Sequence, residues 1–147
     1  MPFCKVDAQY PPAPHGEKRI IFALDPQGTD MEQQRLMLQL IPSRMLEVSK
    51  TDAINILDLN GKVERHTLEG SDAPYFHVEL ANEYAVARRG LGEGEDDGVK
   101  VKKLVPMAQP PMFPYSHAQP VVVYLPKDVE LHYNVWFGGE VMKAASE

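Results

Sequence analysis

Short runs of residues that favour extended backbone recur along most of this chain, separated by turn residues. Ten such runs predict β-strands: 18–24, 35–41, 45–49, 53–57, 62–67, 75–81, 83–87, 99–105, 121–125 and 129–137. Many short strands at this spacing are typical of an antiparallel sandwich or barrel. The pattern therefore predicts an all-β fold, an antiparallel β-sandwich or partly open barrel.

The segment before the second run has a mixed pattern. Thr29 and Asp30 form a helix-start signal, whereas Leu36, Leu38 and Leu40 alternate as in a strand. We therefore predict at most one turn of helix, followed by a strand.

The last run alternates between an apolar and a mixed face. The apolar positions, which we predict to face the core, are Val129, Leu131, Tyr133, Val135 and Phe137. The other face places Trp136 among polar residues. Either a tail or a second subunit covers this tryptophan, or it lies half-exposed on its own sheet.

Residues 1–16 are polar and rich in proline, so we expect an extended N-terminal arm. Residues 17–147 contain no linker-like stretch and no repeat, and we expect them to form a single domain. The 147 residues are enough for one hydrophobic core. Thirteen prolines disfavour a helical bundle.

The net charge and the N-terminal sequence limit the partners and the location that we expect for the protein. A net charge of −6 argues against nucleic acid as a partner, because phosphate binding needs a basic face. No run of apolar residues is long enough to span a membrane. The first residues lack a signal-peptide pattern, so we expect a cytoplasmic protein or one released without a signal peptide.

The chain offers little chemistry for an enzyme, a metal or a cofactor. Cys4 is the only cysteine, so an intramolecular disulfide is impossible. No Gly-x-Ser-x-Gly motif occurs, and the five histidines have no metal-ligand spacing. The acidic run 93–98 imitates a calcium loop but has Leu104 where a glutamate is required. We expect no enzymatic activity, no cofactor and no metal.

The segment 84–98, YAVARRGLGEGEDDG, is the most informative stretch of the chain. Its first half favours a strand, and its glycines and acids favour a loop. Arg88 and Arg89 lie where the two meet. They fit a solvated basic pair, a dibasic processing site, or a bait for a peptidase pocket with a carboxylate at its floor.

Short motifs spread over residues 10–140 carry a resemblance to a known family. They are Tyr10-Pro11, Gly16-Glu17-Lys18-Arg19, Leu24, Pro26-Gln27, Leu46-Glu47-Val48, Gly61-Lys62-Val63-Glu64, Thr67-Leu68-Glu69-Gly70, Tyr115, Pro120-Val121-Val122-Val123-Tyr124, Pro126 and Val129 to Trp136. In these the chain resembles ecotin, a dimeric inhibitor of trypsin-fold serine peptidases. It is more closely similar to the inhibitors of parasitic protists.

The resemblance implies a reactive position. Counting from Thr67 without a gap, that position falls on Arg88, with Arg89 on the leaving side of the scissile bond; a slip of one residue would give the role to Arg89. The primary binding loop would also include Ala85, Val86, Ala87 and Gly90. Arginine would favour trypsin-like peptidases as targets.

The family ties its reactive loop to a supporting loop with a disulfide. The matching positions here are Lys50 and approximately Leu91, so that bond cannot exist. The supporting loop, 49–60, is about four residues longer than the family's by our alignment. We assign Ile54, Asn55 and Ile56 to the supporting loop, and we expect packing by Ile54, Ile56, Leu57 and Leu59 to replace the disulfide.

The resemblance also implies a second contact with the peptidase and a homodimer. The secondary patch maps onto Ser71, Asp72, Ala73, Pro74, Pro114, Tyr115, Ser116 and His117. Ser71, Asp72 and Ala73 stand where the family has aromatic anchors. C-terminal strands exchange between subunits in the family, which would place Tyr133 and Trp136 in the dimer interface. The alternative is a β-rich interaction protein that keeps the scaffold without inhibiting.

Overall fold

The computed structural model describes residues 10–88 and 98–147. Within these ranges it contains two short helices and eight strands, which confirms the predicted all-β class. The elements are β1 (Glu17–Phe22), α1 (Thr29–Gln34), β2 (Leu36–Ser49), α2 (Lys50–Ala53), β3 (Ile56–Thr67), β4 (Pro74–Arg88), β5 (Lys100–Pro106), β6 (Met112–Pro114), β7 (Val121–Pro126) and β8 (Val129–Phe137).

The strands form two sheets. The first has the order β1-β7-β4-β3, antiparallel except for a short parallel contact of Phe76 and His77 with Val123 and Tyr124. In the second, β2 is the central strand. Its C-terminal half pairs with β5, and its N-terminal half pairs with β6 and β8. The second sheet thus carries the C-terminal strand, and the first carries Arg88.

The main core lies between the two sheets. Alternate residues of the long strands point into it, and several of them are fully buried: Leu38, Leu40, Val48, Leu59, Val78, Val105, Val123, Leu125 and Val129. Burying an aliphatic side chain of this size contributes roughly 1.5–3 kcal/mol to folding. The regular alternation therefore fixes the register of both sheets.

A second, smaller core covers the outer face of the first sheet. It joins Tyr10 to Ala73, Val122 and Tyr124. The Tyr10 hydroxyl donates to the carbonyl of Pro74 at 3.0 Å, and the Tyr124 hydroxyl donates to that of Pro11 at 2.5 Å. The described part of the predicted arm is therefore bonded to the domain.

Strand β2 is continuous through Pro42, although we predicted a break there. The Pro42 carbonyl accepts a hydrogen bond from the Met107 amide at 2.8 Å, so its backbone faces the edge shared by β5 and β6. Residues 43–49 of β2 pair with β5, and residues 37–39 pair with β6. Position 42 therefore lies between these two ladders. The missing N–H of the proline therefore costs no ladder bond.

Asn60 and Gly61 lie inside β3, where the sequence suggested a turn. A side chain at Gly61 would place its Cβ 2.5 Å from the Glu79 carbonyl oxygen and 2.9 Å from Leu80 Cδ1. The register with β4 shifts at this point. Glycine is required here by the close approach of β4 at a β-bulge rather than by a turn.

The predicted strand 53–57 is wrong in its first half. The Ser49 side chain accepts from the amide of Asp52 at 3.0 Å and caps α2, so strand β3 begins only at Ile56. The predicted runs 75–81 and 83–87 are a single strand, β4. The predicted turn of helix at Thr29 is α1, which has six residues.

The prediction that one face of β8 lies in the core is largely wrong. Val129 is fully buried, but Tyr133, Val135 and Phe137 are 48%, 39% and 60% exposed. The first half of β8 covers the core, and the second half extends beyond it.

No helix in the described ranges has the length and apolar character needed to cross a bilayer.

Candidate functional site

Arg88 is the last residue of β4 and its side chain is exposed. It pairs in register with Ile56 of β3, whereas Val86 pairs with Leu57 and Ala85 with Asp58. Ala87 is the extra residue of a β-bulge between these pairs. The stretch Ala85–Arg88 is therefore extended and carried on a sheet. The predicted site residues Arg89 and Gly90 lie outside the described residues.

The Arg88 guanidinium has no ion pair or side-chain hydrogen bond to any residue in 10–88 or 98–147. Its neighbours Ala85 and Ala87 are small and exposed. An extended strand that ends in an available cation can present its planar fork of donors to a carboxylate.

The supporting segment beside Arg88 is compact. Helix α2 occupies its first half, and Asn55 follows as a buried residue with 4% exposure. The Asn55 side-chain amide donates to the Thr51 carbonyl at 3.1 Å, and its backbone N–H donates to that of Asp52 at 2.9 Å. Asn55 therefore closes the C-terminal end of α2 with two local bonds.

Polar side chains connect this helix to β4 and β5, the strands that precede and follow residues 89–97 in the sequence. Tyr84 of β4 donates its hydroxyl to the Asp52 carboxylate at 2.5 Å. Lys103 of β5 donates to the carbonyls of Ala53 and Asn55, each at 2.8 Å. We call these contacts the polar clamp. Our sequence reasoning missed it; the N-cap sequence Ser-Lys-Thr-Asp at 49–52 is the signal that could have indicated the helix.

The apolar part of the supporting segment divides into two pairs. Leu57 and Leu59 are buried in the main core, as the packing hypothesis expects. Ile54 and Ile56 are 60% and 56% exposed, so the hypothesis that they pack beneath the reactive loop is wrong. Ile56 lies beside Arg88 on the surface, because the two are register partners.

The first half of the predicted secondary patch is a tight turn. Leu68 donates its amide to the Ala73 carbonyl at 2.9 Å, and Ser71 donates to that of Leu68 at 3.1 Å. The Ser71 hydroxyl accepts from the Ala73 amide at 3.1 Å. Ser71 and Asp72 are exposed, Pro74 is half-buried and Ala73 is buried. Only the first two project fully from this turn.

The second half of the patch is organised by Glu32, which our sequence reasoning missed. This carboxylate is 6% exposed and accepts from the backbone amides of Gln27 at 3.0 Å and His117 at 2.8 Å. His117 Nδ1 lies 2.6 Å from its Oε2. The Gln27 amide lowers the pKa of Glu32 below its usual value, and the bonds from His117 add to this against the effect of burial. Glu32 therefore fixes His117 to helix α1.

Tyr115 is buried, and its hydroxyl donates to the Asp25 carbonyl at 2.5 Å. Burial raises the pKa of this hydroxyl. Tyr115 thus anchors the segment, while Pro114, Ser116 and His117 remain on its surface.

Each half of the patch contributes residues to the lining of one cleft. The cleft has a volume of about 480 Å³. Pro74 of the first half and Pro114 and Ser116 of the second line it, together with the apolar side chains of Phe76 and Phe113. Residues separated by forty positions in the sequence are therefore neighbours in the fold.

The second half of β8 exposes a row of large apolar side chains. Tyr133 and Trp136, the predicted dimer residues, are 48% and 46% exposed. Trp136 donates its indole N–H to the Gln39 side-chain oxygen at 2.7 Å, and the Tyr133 ring stacks on Phe22 with centroids 4.8 Å apart. β8 pairs along its whole length with β2 of the same chain. Exchange of β8 between subunits stays a prediction.

No group of three or more His, Cys, Asp or Glu side chains in residues 10–88 and 98–147 is arranged to hold a metal ion.

Comparisons with known proteins show which proteins this chain is similar to. The profile of the Ecotin family matches residues 6–137. The chain is 55% identical to Ecotin-like protein 1 of Leishmania major and 52% identical to that of Leishmania infantum, over the full length of both proteins in each case. It is 34% identical to Ecotin-like protein 4 of Trypanosoma brucei brucei, over 99% of this chain and 84% of that protein.

Proposed function

The chain belongs to the ecotin family, and we propose that it is a reversible, substrate-like protein inhibitor of trypsin-fold serine peptidases with Arg88 as its reactive residue. The family consists of serine peptidase inhibitors rather than enzymes. The observation that carries the residue assignment is the exposed Arg88 at the end of an extended, sheet-supported strand.

Binding begins with strand addition. Ala85–Arg88 pairs with the backbone of the peptidase as an extra extended segment, which supplies main-chain hydrogen bonds independent of side-chain identity. The small side chains of Ala85 and Ala87 let the two backbones approach. Arg88 enters the specificity pocket and forms a charge-assisted, forked contact with a carboxylate at its floor.

Inhibition rather than rapid cleavage requires a reactive strand that stays in place. A strand held in its bound conformation loses little entropy on binding. After cleavage, the same support keeps the new amine next to the acyl group, so the peptide bond re-forms faster than the product leaves. The pairing of β4 with β3 up to Arg88 supports this step.

A second contact and a dimer complete the proposal. The patch formed by Ser71, Asp72, Pro114, Ser116 and His117 would contact a second face of the peptidase. Homodimers form through the exposed half of β8, by exchange of this strand across a two-fold axis. Each peptidase then contacts the reactive strand of one subunit and the secondary patch of the other, so that the linked contacts add avidity.

A stoichiometric titration of a trypsin-like peptidase tests the proposal. We expect tight inhibition by the wild type and its loss in Arg88→Ala. Arg89→Ala is the matched control, because it removes the neighbouring guanidinium; it should retain inhibition. Loss only in Arg89→Ala would move the reactive position by one residue. No inhibition by micromolar wild-type protein would instead favour an interaction protein that does not inhibit.

A further inference from the structure

The helix α2 is bonded to both strands that flank the segment 89–97. Tyr84 lies on β4, which enters this segment, and Lys103 lies on β5, which leaves it. The backbone amide of Lys50 adds a bond to the Val99 carbonyl at 3.0 Å. A helix of four residues is therefore joined to both sides of the reactive loop.

Neither a covalent bond nor the exposed isoleucines can supply this support. The chain has one cysteine, Cys4, and a disulfide needs two. Ile54 and Ile56 point largely to solvent. The polar clamp adds to the support that pairing of β4 with β3 gives, and its contacts suit the ends they bind. The Lys103 ammonium lies at the C-terminal end of α2, where the last carbonyl groups lack partners within the helix.

We propose that the polar clamp is the device that positions Ala85–Arg88 for inhibition. This inference rests on the proposed function. Tyr84 fixes the reactive strand to the helix three residues before Ala87, and Lys103 fixes the same helix to β5. Both are positioning residues that act through α2. Because no thiol takes part, the support works equally in reducing and oxidising surroundings.

Two variants remove one arm of the clamp each: Tyr84→Phe and Lys103→Met. The chain offers a matched control for each. Tyr124→Phe deletes a hydroxyl that also donates to an acceptor at 2.5 Å, but this acceptor is the Pro11 carbonyl in the N-terminal arm. Lys102→Met removes the exposed ammonium next to Lys103 on the same strand.

The first measurement is amide hydrogen exchange in the free protein. We expect exchange at residues 50–55 and 84–88 to accelerate about tenfold in both clamp variants, the effect of losing one net charge-assisted hydrogen bond. The control variants should match the wild type in these segments. Unchanged exchange in Tyr84→Phe and Lys103→Met would overturn the clamp, whatever the protein inhibits.

The second measurement combines the inhibition constant for a trypsin-like peptidase with the rate of cleavage after Arg88. Each clamp variant should bind about tenfold more weakly, equivalent to about 1.4 kcal/mol, and be cleaved faster. Lys103→Arg keeps a cation and should recover part of the inhibition. If the clamp only stabilised the fold, the clamp variants would have a lower Tm, but the rate of cleavage after Arg88 within the complex would not rise.

The two possible failures are distinguishable. A wild type that does not inhibit would overturn the proposed function. A wild type that inhibits, with clamp variants that inhibit equally and are cleaved no faster, would overturn only the positioning role.

Discussion

At the scale of single residues, buried polar groups hold the segments that carry the site. Arg44 is 5% exposed and donates to the carbonyls of Leu80 and Ala81 at 3.0 Å each. It also pairs with Asp128, directly before β8. One guanidinium thus joins β2, the bulged part of β4 and the turn before the C-terminal strand. A hydrophobic pattern cannot indicate such residues, because it assigns an arginine to the protein surface.

Replacing Arg44 by methionine should lower the free energy of unfolding by about 2–3 kcal/mol, because two carbonyls of β4 lose their donor in a buried region. Urea denaturation measures the change. Asp128→Asn is the control and should cost less than about 1 kcal/mol, since Asp128 is 72% exposed. A methionine variant as stable as the wild type would contradict the assigned role.

Glu32 should make stability depend on pH in the acidic range. Its folded pKa is lower than its ordinary value of 4.5, so the charged form is favoured by folding. That stabilisation is complete above about pH 4.5 and is lost as the pH falls through the folded value. The stability difference between wild type and Glu32→Gln should therefore be constant near neutral pH and narrow below about pH 4.5 in denaturation curves. A difference that widens on acidification would refute this.

At the scale of elements, the sequence predicted the central parts of strands well and their connections poorly. Runs such as 121–125 and 129–137 match β7 and β8, because alternation over several residues is a strong signal. Pro42 and Gly61 suggested breaks but lie within strands. Pro42 is tolerated because it lies between two ladders, and Gly61 is required because β4 approaches closely. Both causes lie in neighbouring strands, so the local sequence pattern does not predict them.

Gly61 gives a direct test of the bulge. Gly61→Ala should lower the free energy of unfolding by about 1–3 kcal/mol, because its Cβ would meet the backbone oxygen of Glu79. Gly139→Ala is the control, since nothing lies within 4 Å of the added carbon. Thermal unfolding of both variants measures the difference. Equal Tm values would mean that β4 does not approach β3 as closely as described.

At the scale of the whole molecule, the family resemblance predicts a reactive position for Arg88, which composition alone left among three interpretations. The structure adds contacts around the proposed site: a helix in place of a predicted strand, the bonds of the polar clamp, and the bonds of Glu32 next to the proposed secondary patch. These depend on contacts between residues far apart in sequence. Single-sequence reasoning could indicate the exposed Arg88 but not the groups bonded around it.

The exposed half of β8 should determine the oligomeric state. Phe137→Asp places a charge on a side chain that is 60% exposed in the single chain, so it should leave the fold intact and weaken a dimer that buries this strand. Sedimentation velocity should show a dimeric wild type and a monomeric variant. The control Val141→Asp, on the 97% exposed tail beyond β8, should stay dimeric. A monomeric wild type would refute strand exchange.

The central claim is that Arg88 selects the peptidase, and a change of specificity tests it most directly. Inhibition constants of wild type, Arg88→Tyr and Arg89→Tyr should be measured against a trypsin-like and a chymotrypsin-like peptidase. We predict that Arg88→Tyr weakens inhibition of the trypsin-like enzyme by at least about 100-fold, equivalent to about 2.7 kcal/mol, and gains inhibition of the other. Arg89→Tyr should keep the wild-type preference. Undiminished inhibition of the trypsin-like enzyme by Arg88→Tyr would contradict the account.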